Sequence, residues 1–101
     1  MSGLFPKSSQ LDLDDHTTAL FLEVPGPKVV VLQGFFELYE GLGLVRTIDI
    51  KKSQVAILVT KDLLQESIDA LESIKEEVCW KPGVCPPDIT ADNYFAILHR
   101  S

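Results

Sequence analysis

The chain predicts an α+β sandwich in which one antiparallel sheet carries two helices on a single face. Three observations lead there. Residues 17–24 (TTALFLEV) alternate in the manner of a strand and are rich in β-formers. Two stretches repeat at helical spacing: Val31, Phe35, Leu38 and Leu42, and then Leu64, Ile68, Leu71, Lys75 and Val78. Between them, runs 44–50 and 54–60 read as two strands joined by the short polar link Lys51-Lys52-Ser53. The order is βαββα, and the apolar run 94–98 is the candidate last strand.

Residues 1–16 mix Ser, Lys, Gln and the acidic Asp12, Asp14 and Asp15, and read as a loosely docked arm. In the first strand Leu20, Leu22 and Val24 point one way, while Ala19, Phe21 and Glu23 point the other. Pro25-Gly26-Pro27 ends it, and Pro27 suits the first helical position. Val29-Val30-Val31 is a poor helix start, yet the prolines separate it from the strand and the later spacing is helical. Gly41 or Gly43 then supplies a left-handed residue that closes the helix.

Run 44–50 alternates Leu44, Arg46, Ile48 and Ile50 against Val45, Thr47 and Asp49. Run 54–60 is apolar on both faces, the mark of a central strand. Asp62 with Gln65 has capping-box spacing before the second helix, whose wet face is Glu66, Asp69, Glu72, Glu76 and Glu77. The expected core is Leu20, Leu22, Val24, Val31, Phe35, Leu38, Val55, Ile57, Val59, Ile68 and Leu71. Three segments result: arm 1–16, core 17–78, and a Cys/Pro-containing tail 79–101.

With 101 residues there is room for one domain. A hydrophobic fraction of 46% beside 24% charged residues is globular composition. No apolar run approaches the ~20 residues that span a bilayer, and MSGLFPKSSQ lacks an apolar leader, so the expectation is cytoplasmic with no membrane partner. A net charge of −6 with scattered cations disfavours nucleic acid.

Catalytic patterns are thin. Cys79 and Cys85, separated by five residues, match neither a redox nor a zinc spacing and read first as thiols, then as a redox pair, and last as half a metal site. His16 beside Asp14 and Asp15 reads as a solvated turn, and His99 stands near the end of the chain. Glu37, Glu40 and Asp49 read as solvated carboxylates before they read as an acid–base group. Arg46 is a fitting anchor for a carboxylate or phosphate if its strand borders an interface. Neither catalytic residues nor a metal or cofactor are expected.

The run ELYEGLGLVRTID at 37–49 resembles a small bacterial domain family of unknown function, over roughly residues 17–75. The architecture is similar to ferredoxin-like sandwiches and to ACT domains, which bind amino acids or other small ligands between subunits. The expectation is a non-enzymatic regulatory or protein-interaction module acting as a homodimer. Its interface would use Phe21, Ala56 and Leu58 on the open sheet face, with Trp80; the competing cover for that face is the tail, folded across it through Trp80, Ile89, Tyr94 and Phe95. The alternative is a sensor of an amino acid or anion at the subunit interface near Gly41, Gly43 and Arg46. A thiol redox protein comes third.

Overall fold

The computed structural model describes residues 5–38, 43–49 and 53–98. In chain order the elements are β1 (Gln10–Asp12), β2 (Thr17–Glu23), α1 (Gly26–Leu38), β3 (Leu44–Asp49), β4 (Gln54–Thr60), α2 (Leu64–Ser73), α3 (Lys75–Val78), β5 (Lys81–Pro82) and α4 (Tyr94–Leu98). The sheet runs β1-β2-β4-β3, with β5 also on β2 and every pairing antiparallel. β2 and β4 are central, in a register that sets Leu20 opposite Ile57 and Phe21 opposite Ala56. Both are apolar on two faces because both faces are covered. The α+β sandwich with helices layered on the sheet is the predicted class, compatible with a ferredoxin-like arrangement.

The outer strand beside β2 departs from expectation. Residues 94–98 form the short helix α4, not a strand. The edge is instead shared by both ends of the chain. β1 pairs Gln10, Leu11 and Asp12 with Leu20, Ala19 and Thr18, and β5 pairs Pro82 and Lys81 with Leu22 and Glu23. Ser9 Oγ donates to the Gly83 carbonyl, and Cys85 N donates to the Ser8 carbonyl at 3.1 Å. The expected loose arm is therefore a docked edge from Phe5 onward, with Phe5 buried against Trp80 at a ring separation of 6.0 Å. Sheet hydrogen bonding explains the docking, since an unpaired β2 edge would leave buried backbone groups unsatisfied.

The helix layer also corrects the predicted core. Leu20, Leu22, Val24, Val55, Ile57, Val59, Ile68 and Leu71 are buried as expected. On α1, however, Leu32 and Phe36 are the buried residues, while Val31 is 44% and Leu38 82% exposed. Phe35 only packs at the margin, with Val29. The stripe Val29, Leu32 and Phe36 is rotated by about one residue from the predicted one. Seven of the ten residues from 29 to 38 are apolar, so spacing alone could not select the face.

The second helical run breaks at Ile74 (φ −112, ψ 14), giving α2 and the single turn α3, which Cys79 ends in the left-handed region at φ 61. The expected capping box is not formed: Leu63 precedes α2, and Gln65 Nε2 donates to Asp69 Oδ1. Trp80 turns back under this helix, donating from Nε1 to the Leu71 carbonyl at 2.7 Å, with Lys75 Nζ 4.6 Å above its ring.

The other sheet face is covered by a strap, the segment after Gly83. Ile89 and Tyr94 close over Ala19, Phe21 and Ala56, with Leu11, Leu13, Ile48, Leu58 and Cys85 around them. Turn hydrogen bonds hold the strap's shape: Thr90 N to Asn93 Oδ1, Asn93 Nδ2 to the Asp88 carbonyl, and Tyr94 N to the Thr90 carbonyl.

Candidate functional site: the seam between α1 and β3

The rotation of α1 decides what its flank presents. With Leu32 and Phe36 turned into the core, Gly26, Val29, Gln33 and Glu37 form a neighbouring stripe at spacings of three and four. That stripe faces β3 across two adjoining cavities. The larger, about 240 Å³, has Val29 and Val55 as apolar walls, with Gly26, Gln33, Thr47, Asp49, Ser53 and Gln54 around them. The smaller, about 150 Å³, is bounded by Gln33, Phe36, Glu37, Gly43, Leu44, Val45 and Arg46. Gln33 belongs to both.

Gly43 fixes how closely β3 enters the sheet. A β-carbon there would stand 2.8 Å from Ile57 Cγ2, 3.1 Å from Val59 Cγ1 and 3.2 Å from the Leu58 carbonyl oxygen. Its φ lies outside the left-handed region, so the expected reason for glycine is corrected: close approach to β4 requires it, not a helix-closing turn. The alternative turn residue, Gly41, lies outside the described residues, as do Glu40 and His99.

Arg46 is half-buried at the rim of the smaller cavity, and its Nη1 donates to the Val45 carbonyl at 3.1 Å. Its charge also reaches the strap. Burial pushes the Tyr94 phenol up to about 12, and the Arg46 guanidinium partly opposes that rise. Arg46 pairs with Ala56 and so shares the strap-covered face of the sheet with Ile48, whereas exposed Glu37 borders the cavity from α1 on the helix side.

Gly43 and Arg46 both border the smaller cavity but face opposite sides of the sheet, and the residues expected at an interface are separated too. Phe21 and Ala56 are buried under the strap, and Leu58 is half-buried beside them. The apolar face is closed by the chain itself, which removes the open patch from which self-association was argued. Trp80 lies in the helix-side core, not on that face.

Cys79 is exposed and Cys85 half-buried, and both are free thiols. Lys81 to Gly83 runs alongside β2, with Gly83 N donating to the Phe21 carbonyl at 2.8 Å, and Cys85 N then donates to the Ser8 carbonyl. At ~3.3 Å per extended residue Cys85 lies roughly 13 Å past Lys81, beyond disulfide reach of Cys79 without rearrangement. Burial, and then the nearby Asp88 charge, push the Cys85 thiol up, which disfavours its thiolate. Asp14 Oδ1 accepts from His16 N and Thr17 Oγ1, both at 2.8 Å, so the acidic cluster shapes the β1–β2 turn. Those bonds hold the Asp14 carboxyl below its usual range. Among the described residues no three His, Cys, Asp or Glu gather as metal ligands, and no helix is long and apolar enough to cross a membrane.

Gln33 and Val29 were missed as site residues. The available signal was Gln33 itself, the one polar side chain inside the apolar run 29–36.

An antiparallel sheet with α1 to α3 on one face, the strap on the other and a two-cavity seam beside its outer strand defines a small α+β domain with a candidate pocket. Residues 22–78, more than half of the chain, match the family described as "Domain of unknown function (DUF4911)", and the chain belongs to that family. The match contains α1, β3 and β4, hence the whole seam, and leaves out β1, β5 and the strap. No curated protein and no solved structure matches the chain.

Proposed function

We propose that this protein is a non-catalytic regulatory module whose α1–β3 seam binds a small polar molecule. The observation that carries this reading is the pair of adjoining cavities joined at Gln33 on the helix side of the sheet. Small-molecule sites combine apolar walls with a few convergent polar groups, and the seam has that composition. Its described walls supply two amides (Gln33 and Gln54), two hydroxyls and separate carboxylates, which suit holding a ligand more than transforming one.

A second reading, a protein-interaction module that self-associates, is favoured by a different surface from the one the sequence suggests. Val30 is 71% and Leu38 82% exposed on the outer face of α1. Apolar side chains gathered in that way suit a partner surface.

A thermal-shift screen of small anions, amino acids and nucleotides, run on wild type and Gln33→Leu, tests the first reading. Stabilisation by a compound that is lost in Gln33→Leu supports it. Stabilisation equal in both proteins, or none from any compound, contradicts it. In the latter case a concentration-dependent mass that falls in Val30→Glu supports the second reading.

A further inference from the structure

We infer that the outer edge of β3 is a strand-pairing surface that Arg46 keeps closed to a second copy of this chain. The sheet order leaves β3 outermost, and among the described residues no strand pairs with its far side. The hydrogen bonds of β2 fix which backbone groups project there. The Thr17 and Phe21 carbonyls accept from Leu13 N and Gly83 N, so the odd-numbered residues of β2 point to β1 and β5 and the even-numbered ones to β4. The register carries that alternation across the sheet. Leu20 opposite Ile57 turns Ala56 and Leu58 toward β3, where Arg46 and Leu44 are their partners. Val45 and Thr47 therefore direct their N–H and C=O groups away from the sheet, as a strand seeking a neighbour does.

Arg46 lies between those two residues and acts on the edge in two ways. Its Nη1 donates to the Val45 carbonyl at 3.1 Å, so an arriving strand must displace a charge-assisted hydrogen bond that the chain already makes. Its charge also opposes the partner that the geometry otherwise suits, β3 of a second copy paired antiparallel across a two-fold axis. A two-fold through position 46 sets the two arginines directly opposite. A two-fold through Val45 or Thr47 sets them diagonally, still within reach of side chains so long. Like charges placed in those ways destabilise a strand pair. The irregularity between Thr47 and Asp49 breaks the run needed for a register that keeps the arginines further apart. This role is separate from the seam, which opens on the helix side of the sheet.

Sedimentation velocity over a concentration series tests the inference on wild type, Arg46→Thr and the double variant Arg46→Thr/Thr47→Pro. Threonine removes the charge and the donor but keeps a strand-forming residue. Proline at 47 removes an N–H that points outward, which blocks the edge without breaking the pairing to β4. Arg46→Thr is expected to self-associate at least tenfold more tightly than wild type, and the added proline to return it to the wild-type value. A correctly folded Arg46→Thr, checked by circular dichroism, that associates no more than wild type would overturn the inference. Association that survives Thr47→Pro would place the contact on another surface and overturn it as well. Should Arg46→Thr not fold, Arg46→Met, which retains the apolar stem, is judged by the same two outcomes.

Discussion

Gly43→Ala adds one methyl group where β3 meets β4, and the geometry gives the sign of its effect. At an unstrained, roomy position the change would stabilise by about 0.4–1 kcal/mol, through the lower entropy of the unfolded chain. Here the new carbon would lie 2.8 Å from Ile57 Cγ2 and 3.2 Å from the Leu58 carbonyl oxygen. Ile57 is fully buried and cannot swing into solvent, and the carbonyl belongs to the central strand. Overpacking of a well-filled core costs about 1–3 kcal/mol. The net expectation is a loss on the order of 1–2 kcal/mol, or a melting temperature lower by roughly 5–15 °C for a domain of this size. Urea titration with an unchanged slope, together with calorimetry, would measure it. An alanine variant as stable as wild type would refute the close approach of β3 to β4 and the shape of the seam derived from it.

Other consequences concern the strap and the thiols. Phe21→Glu places a carboxylate beneath Ile89 and Tyr94. It should cost about 3 kcal/mol or more in urea unfolding; a fully stable variant that differs only in oligomeric state would show an open face. Tyr94 has a folded pKa pushed up to about 12 by burial, so the folded protein keeps a proton that the unfolded chain loses near pH 10. Stability is intact below pH 10 and falls between pH 10 and 12, on the order of 2 kcal/mol. Tyr94→Phe should abolish that alkaline loss, and identical pH profiles for the two proteins would contradict the burial. Thiol titration should be biphasic, with exposed Cys79 fast and Cys85 slow, and mild oxidation should leave no intrachain disulfide. Two equally fast thiols, or a monomeric disulfide, would disprove the separation along β5.

Strands were the legible part of this chain. β2 and β4 match the runs read from alternation and two-sided apolarity, because buried central strands carry their signal in composition. The first helix was legible in position but not in rotation. Its valines and phenylalanines are equally apolar, and packing against α3 and β3 chose Leu32 and Phe36. The shared edge of β1 and β5 was hidden for another reason. Pairing between chain ends depends on which backbone groups the central strand leaves open, and no local pattern records that. α4 misled because five apolar residues can form either a strand or a helical turn. At the site, Arg46 and Gly43 were visible through residue type. Gln33 and Val29 needed the helix face to be known first.

The most direct measurement of the central claim is a two-dimensional ¹H–¹⁵N spectrum recorded during titration with the compound that stabilises the protein best. Shifts are expected to concentrate at Gln33, Glu37, Gly43 and Thr47 and to leave the amides of Phe21, Ala56 and Ile89 in place. Shifts centred on the strap and the sheet face beneath it, with the α1–β3 residues unmoved, would contradict the claim.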